Sequence, residues 1–372
     1  MALSFMEGNE AIARGAMAAG CRFFAGYPIT PATTILNAML KLMPPEGGTC
    51  IQGEDEIASI GFCLGASMAG LKVMTATSGP GISLYSEQIS FAIGSEIPIV
   101  IVDVQRLGPS TGSATRGADG DIKFLRWGSS GGLPVVVLAP VDIRDCFTLT
   151  IQAFNLAEAF RCPVFIASNK EIGLTRESID LDAMERPYII ERTAPWPGEP
   201  FLPFQISNGQ TVPYFLPIGS GLPVRQTSST HGPDGYITTR ADEIAANQWR
   251  LLNKLNDAVD RFSYFEDHME DSDTLLLAYG VTARAVREVA TTCKKKKKPV
   301  SVLILKTLWP VPEKLIREKC RSAKRIIVIE MNLGQYVGEI RRILPNRQVD
   351  FYGQMDGRLI TPRQIEEVLA HG

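Results

Sequence analysis

Three short stretches in the first third of the chain bring chemically capable side chains together with turn-forming residues. Tyr27-Pro-Ile-Thr-Pro-Ala-Thr places Thr30 immediately ahead of Pro31. A threonine there serves as helix N-cap with the proline as first helical residue, and a free hydroxyl at the same point meets a bound ligand instead. Gly53-Glu-Asp-Glu opens a long small and apolar run. Acids at a helix start complement its dipole, but Glu56 heads directly into that run. A carboxyl desolvated there has its pKa raised towards neutrality, as general acid–base work requires. Asp103-Val-Gln-Arg is followed by Gly, Ser and Thr. The Arg106 guanidinium is a fork matched to a carboxylate, whether a neighbouring acid or a substrate.

These stretches need elements to hold them. Up to about residue 170, β-rich runs at 22–26, 49–53, 71–77, 97–105, 133–139 and 162–168 alternate with longer amphipathic or small-residue runs. That alternation predicts a parallel sheet with crossover helices. Ile97-Pro-Ile-Val-Ile-Val-Asp-Val is almost continuously apolar, as a strand covered on both faces is. All three stretches come directly after strands, and open parallel sheets bind ligands at the carboxyl ends of their strands. The run after Glu56 is apolar all round and predicts a buried helix, with Gly61, Gly65, Ala66 and Gly70 leaving small faces for close packing.

Between about 185 and 245, prolines at 187, 195, 197, 200, 203, 213, 217, 223 and 233 replace any periodicity. An ordered connector laid across a neighbouring surface or cleft is expected, with a helical stretch over 240–262. Alternation then resumes from Thr274 as a smaller α/β unit. The expected division is residues 1–185, a connector over 186–268, and 269–372. Lys294–Lys298 fall in a helix-to-strand turn as a solvated cluster.

Charge and composition exclude several classes. Lys plus Arg number 38 against 40 Asp plus Glu, so no net field attracts nucleic acid or anionic lipid. The seven cysteines are nowhere spaced Cys-x-x-Cys, the spacing common in zinc and iron–sulfur sites. No metal site on this chain and free thiols in a reducing compartment are expected. The first ten residues carry acid and no long apolar run, which speaks against a secretory leader. No stretch reaches the roughly 18 apolar residues of a membrane span. A cytoplasmic protein is expected.

Tyr27-Pro-Ile-Thr-Pro, Glu54-Asp-Glu, Thr77-Ser-Gly-Pro-Gly-Ile-Ser-Leu, Asp103-Val-Gln-Arg with Gly108-Pro-Ser-Thr-Gly, and Val328-Ile-Glu-Met-Asn-Leu-Gly-Gln occur in this order. Together, over nearly the whole chain, they resemble the alpha subunit of the 2-oxoacid:ferredoxin oxidoreductase family, in particular the 2-oxoglutarate:ferredoxin oxidoreductase type. The resemblance implies a doubly wound pyrimidine-type thiamine-diphosphate domain followed by a smaller transketolase-C-terminal-like α/β domain. It implies oxidative decarboxylation of a 2-oxoacid to its acyl-CoA, with electrons passed to ferredoxin. Glu56 matches the glutamate at the aminopyrimidine ring. Thr30 and Arg106 match positions near the thiazolium and the substrate carboxylate, and Ser78 and Gly79 the small loop beside the cofactor. Arg225 and His231 are candidates for the substrate's far end. The connector reads His231-Gly-Pro-Asp-Gly where 2-oxoglutarate enzymes carry His-Asp-Glu-x-Gly or similar, which leaves pyruvate and branched-chain or aromatic 2-oxoacids as alternatives.

Magnesium-held diphosphate needs hard oxygen ligands, and the Gly-Asp-Gly that supplies them in thiamine enzymes is absent. The family places that motif, Mg²⁺ and the cysteines of [4Fe-4S] clusters on a separate beta subunit. An interfacial active site in an (αβ)₂ or larger assembly is implied, with the isolated chain inactive.

Rival motifs fare worse. Gly128-Ser-Ser-Gly-Gly fits Gly-x-Ser-x-Gly, with His231 and Asp234 as nominal partners, but a strand comes after it where a nucleophile elbow has a helix. Rossmann and P-loop signatures are incomplete. A non-catalytic scaffold subunit of the same fold remains the alternative from another class.

Overall fold

The computed structural model describes residues 3–181, 183–184, 186–196, 198, 201–207 and 209–371. The expected limits at 1, 185 and 372 and the connector prolines 197 and 200 lie outside the described residues. In chain order the strands are β1 (Ser4–Glu7), β2 (Phe23–Gly26), β3 (Thr49–Gln52), β4 (Val73–Thr77), β5 (Ile99–Gln105), β6 (Val136–Leu138), β7 (Pro163–Asn169), β8 (Arg176–Ile179), β9 (Phe265–His268), β10 (Thr274–Ala278), β11 (Ser301–Leu305), β12 (Thr307–Trp309), β13 (Arg325–Glu330) and β14 (Gln348–Gly353). Each apolar run singled out in the first 170 residues supplies one strand, with ends displaced by up to three residues.

A seven-stranded sheet runs β12-β6-β7-β5-β4-β2-β3, with its pairings parallel except at β12. Side-chain alternation along β5 explains its continuous apolarity: Val100, Val102 and Val104 enter one apolar cluster, Ile99 and Ile101 the other. Both faces are thus covered by helices, the doubly wound arrangement. Strand order reverses direction about β2, so the crevice lies at the carboxyl ends of β2 and β4.

Two features were not expected. β1 and β8 pair as an antiparallel ribbon. β12, from the second half of the chain, completes the edge of the first sheet, pairing Thr307 with Leu138 and Trp309 with Val137. Trp309 also donates its indole N–H to the Ile122 carbonyl at 3.2 Å. The second sheet has five strands in the order β14-β13-β10-β11-β9, with β9 antiparallel.

The connector has almost no regular structure yet is firmly held, and its anchors are arginines. Arg161 donates Nη1 to the Tyr214 carbonyl at 3.0 Å, and Arg192 donates to the Ser67 and Leu71 carbonyls at 2.7 and 2.6 Å. Both guanidiniums lie over the Phe215 ring, at 5.5 and 4.3 Å, two cation–π contacts on one ring. The helix Ala241–Asn256 closes the strap, its Arg250 and Lys254 reaching the fully buried Glu96 at 2.6 and 2.9 Å. No described helix is long and apolar enough to cross a membrane.

Candidate active site

Four strand ends converge at the crevice. After β3, Asp55 caps the helix Glu56–Met68 by accepting the Ala58 N–H at 2.7 Å. Capping therefore falls to Asp55, Glu54 stays exposed, and Glu56 turns inward, only 7% exposed. Its carboxyl borders the turn after β4: a Cβ at Gly81 would collide with Thr77 Oγ1 and stand 2.8 Å from Glu56 Oε1. Gly79, at φ +53°, faces the Arg106 guanidinium, where a Cβ would lie 2.6 Å from Nε. Glycine is needed there for both reasons.

Arg106 leaves β5 buried, 5% exposed. It donates Nη1 to the Thr30 carbonyl at 2.6 Å and Nη2 to the Thr111 carbonyl at 3.0 Å. Among the described residues no ion pair holds it, although the Asp121 carboxyl lies near enough to feel its charge. Arg106 Nε, Thr77 Oγ1 and Ser78 Oγ are buried without a hydrogen-bond partner. Such groups are costly and rare in native proteins. Their concentration around Gly79, Gly81 and Glu56 marks a site that is completed by something else.

Thr30 is not the N-cap expected of it. Residues 30–32 form a turn, and the helix begins at Thr33 with no side-chain cap. The cause is long-range. Arg106 takes the Thr30 carbonyl, while the buried Asn9 donates Nδ2 to the Pro31 carbonyl at 2.9 Å and to Thr34 Oγ1 at 2.8 Å. The exposed Thr30 is thereby held at the mouth of the crevice. Asn9, missed in the sequence, has no local signal beyond an amide at the start of a small-residue helix.

The helix after Glu56 also departs from expectation, for it is not buried all round. Ile57 and Phe62 are 47% and 43% exposed, Leu84 beside them 46%, and a Cβ at Gly65 would meet nothing within 4 Å. One apolar face next to the site is thus left uncovered by this chain.

Behind Arg106 lie three acids. Gln105 accepts the Asp121 N–H at 2.9 Å. Both oxygens of the fully buried Asp103 lack a donor, and its carboxyl meets that of Asp121. Burial, then the Asp121 and Asp119 charges, push Asp103 well above the usual carboxylate range. Burial brings Asp121 to about 6 even though Arg106 opposes it, and Asp119 to about 7. Asp103 is therefore the acid of the pair that keeps its proton, since like charges at contact cannot both ionise.

Arg225 and His231 are not brought to this cluster within the chain. Arg225 donates Nε to the Gly235 carbonyl at 2.9 Å and lies over Tyr236. His231 stacks on Phe204 at 3.8 Å, and its Nδ1 pairs with the Ser229 carbonyl at 2.7 Å. Burial lowers its pKa, partly countered by that bond and by nearby Glu96. Glu96 precedes β5 and Arg106 comes after it, so roughly 20 Å of strand separates His231 from the crevice. Ser130 is exposed and bonded to Ser90, with no histidine beside it, which removes the hydrolase reading.

Residues 14–245 match the family model described as "Pyruvate flavodoxin/ferredoxin oxidoreductase, thiamine diP-bdg", and residues 272–365 that of "Pyruvate:ferredoxin oxidoreductase core domain II". The chain belongs to the 2-oxoacid:ferredoxin oxidoreductase family. Its first unit is that family's thiamine-diphosphate-binding domain. A 2-oxoglutarate synthase subunit KorA from Methanocaldococcus jannaschii is 39% identical, over 99% of this chain and 100% of that one. A ketoisovalerate oxidoreductase subunit VorB from Methanothermobacter thermautotrophicus is 33% identical, over 99% and 97%. The structure of 2-oxoglutarate:ferredoxin oxidoreductase from Magnetococcus marinus, with 2-oxoglutarate, coenzyme A and succinyl-CoA bound, superposes with TM-score 0.92 at 31% identity. That match covers 99% of this chain and 65% of the Magnetococcus one. A split-gene transketolase superposes with TM-score 0.57 at 12% identity, a likeness of fold alone. Within the 2-oxoacid:ferredoxin oxidoreductase family, then, the cluster of Glu56, Thr77, Ser78 and Arg106 occupies the crevice of the thiamine domain.

Proposed function

We propose that this chain is the alpha subunit of a cytoplasmic 2-oxoglutarate:ferredoxin oxidoreductase that converts a 2-oxoacid to its acyl-CoA and passes the electrons to ferredoxin. The observation that carries the proposal is the inward Glu56 carboxyl beside three unpartnered polar atoms in a glycine-lined crevice. The residues fit thiamine diphosphate on chemical grounds. Gly79 and Gly81 let Arg106, Thr77 and Glu56 close directly onto the turn after β4, and Thr77 Oγ1 and Ser78 Oγ are waiting for partners. Glu56 would hold a proton at a pyrimidine ring nitrogen and so favour the imino tautomer. When bound, the cofactor supplies the electron sink for decarboxylation. Thr30 would border the reacting ring, and Arg106 would offer its free N–H to the substrate carboxylate.

The substrate assignment draws support from the KorA relatives, and the VorB likeness makes a branched-chain 2-oxoacid the second reading. The uncovered face of Ile57, Phe62 and Leu84 supports a partner subunit beside the site. That beta subunit would bring Gly-Asp-Gly, Mg²⁺ and the [4Fe-4S] cysteines, giving an (αβ)₂ or larger assembly. For Arg225 and His231, substrate contact is proposed only at a neighbouring subunit's site. The division at 1–185, 186–268 and 269–372 belongs to the same reading, save that β9, at the end of the connector span, pairs within the second sheet.

The test is reconstitution. The chain is co-expressed with the partner encoded beside it and assayed with 2-oxoglutarate, pyruvate and 2-oxoisovalerate, coenzyme A and a viologen dye. Dye reduction dependent on both subunits and fastest with 2-oxoglutarate is expected. No reduction with any 2-oxoacid would leave the chain a scaffold.

A further inference from the structure

The stretch Glu330-Met-Asn-Leu-Gly-Gln lies in the second domain, remote in sequence from the thiamine domain, yet it grips the loop that carries Arg106. That loop leaves Arg106 and folds on itself: the Leu107 N–H reaches the Arg116 carbonyl and the Ser113 N–H the Leu107 carbonyl, each at 2.8 Å. Arg106 Nη2 is held by Thr111 within it. The far end is fastened by the second domain. The Asp119 N–H donates to the Met331 carbonyl at 2.9 Å, and Asn332 Nδ2 donates back to the Asp119 carbonyl at 2.8 Å. Gln335 Nε2 donates to the Gly120 carbonyl, and its Oε1 accepts the Lys123 N–H at 2.9 Å.

The gripping residues are themselves fixed. Asn332 Oδ1 accepts the Gly334 and Gln335 N–H groups at 2.9 Å, and Asn332 Nδ2 also meets Tyr279 Oη at 2.8 Å. Tyr279 in turn donates to Glu330 Oε2 at 2.7 Å, which accepts the Tyr336 N–H as well. A second hold comes from Gly357, where a Cβ would stand 2.7 Å from the Arg116 side chain. Loops without regular structure keep one geometry only where such contacts over-determine them.

We propose that Gln335 and Asn332 are positioning residues for Arg106, so that the second domain sets the 2-oxoacid carboxylate site of the first through the loop 107–120. The inference rests on the reading of Arg106 as the carboxylate-binding group. An interdomain adhesive would make the same contacts but would not act through Arg106.

The experiment is a double-mutant cycle in the reconstituted complex, with Gln335→Met, Arg106→Ala and the pair. Gln335 is half-buried, and methionine keeps its length while removing both polar atoms. Gln335→Glu, which retains the acceptor for Lys123 and loses the donor to Gly120, is the second variant. Expected for Gln335→Met is a KM for 2-oxoglutarate raised about three- to tenfold, the effect of one hydrogen bond, with kcat within about twofold and thiamine diphosphate affinity unchanged. In the Arg106→Ala background the same change should have no further effect. Unchanged KM, additive losses, or equal losses of cofactor affinity and melting temperature would each overturn the proposal. Arg106→Ala alone separates the two claims, because a normal KM in that variant refutes the carboxylate reading itself.

Discussion

Arg106 Nη1 donates to the Thr30 carbonyl oxygen at 2.6 Å, tying the end of β5 to the turn after β2. The bond explains why Thr30 stands outside its helix. It also leaves the guanidinium with Nε buried and unpartnered.

Replacing Arg106 by alanine should weaken 2-oxoacid binding by about 1.5–3 kcal/mol, as loss of a charge-assisted hydrogen bond does. Steady-state KM in the complex measures this. Arg106→Lys should recover little, because an ammonium cannot span the Thr30 and Thr111 carbonyls and a carboxylate together. A lowered melting temperature with unaltered KM would make Arg106 a structural residue only.

Glu56→Gln should reduce turnover by roughly 10²- to 10⁴-fold, the span of a general acid–base group. The amide fills the same space beside Gly81, so the melting temperature of the isolated chain should hold. Undiminished dye reduction would assign the chemistry elsewhere.

Glu56, Ser78 and Arg106 were legible because strand ends in a parallel sheet are legible: continuous apolar runs such as Ile99–Val102 announce strands buried on both faces, and the residues just past their carboxyl ends line the crevice. The other determinants are non-local. Nothing around Thr307-Leu-Trp reveals that it will pair with β6, which it meets only after the whole connector has been laid down. Thr30 looks like an N-cap until Asn9 and Arg106 compete for its turn. The exposed face at Gly65 reads in the sequence as a buried one, because an apolar pattern does not say which chain will cover it.

Two glycines should separate the site from that face. Gly81→Ala pushes a methyl into Thr77 and Glu56, an overpacking that costs about 1–3 kcal/mol, and should lower thiamine diphosphate affinity in a fluorescence titration. Gly65→Ala meets open space in this chain and should stabilise it by up to about 1 kcal/mol through helix propensity. The same alanine should weaken assembly with the partner subunit, seen as dissociation in analytical ultracentrifugation. Unimpaired assembly would show that this face is not an interface.

Asp119 offers a pH test whose sign is opposite to that of an ordinary buried ion pair. Burial raises its carboxyl to about 7, so the folded chain holds a proton that the unfolded chain releases near pH 4. The resulting stability is complete below about pH 4 and is lost as pH rises through about 7. Asp119→Asn keeps an acceptor for Asn169 and cannot ionise. It should match the parent near pH 4 and exceed it above pH 7 in urea denaturation, and parallel curves for the two proteins would rule out a buried neutral acid.

Glu96 should govern the acid limb. Burial pushes its carboxyl up, but Lys254, Arg250 and Arg161 outweigh that and bring it from 4.5 to about 2. The folded chain therefore binds fewer protons there than the unfolded one. The separation corresponds to on the order of 3 kcal/mol of stability, present above about pH 4.5 and lost as pH falls through about 2. Glu96→Gln strands the buried Lys254 and the part-buried Arg250 and should be less stable than the parent at neutral pH, yet its stability should fall less steeply between pH 4.5 and 2. Because Arg250 and Lys254 anchor the strap's closing helix to the first domain, proteolysis within residues 240–262 should accelerate over the same pH interval in the parent. If the parent and Glu96→Gln lose stability in parallel there, the acid limb belongs to other carboxylates and Glu96 does not control the docking of the strap.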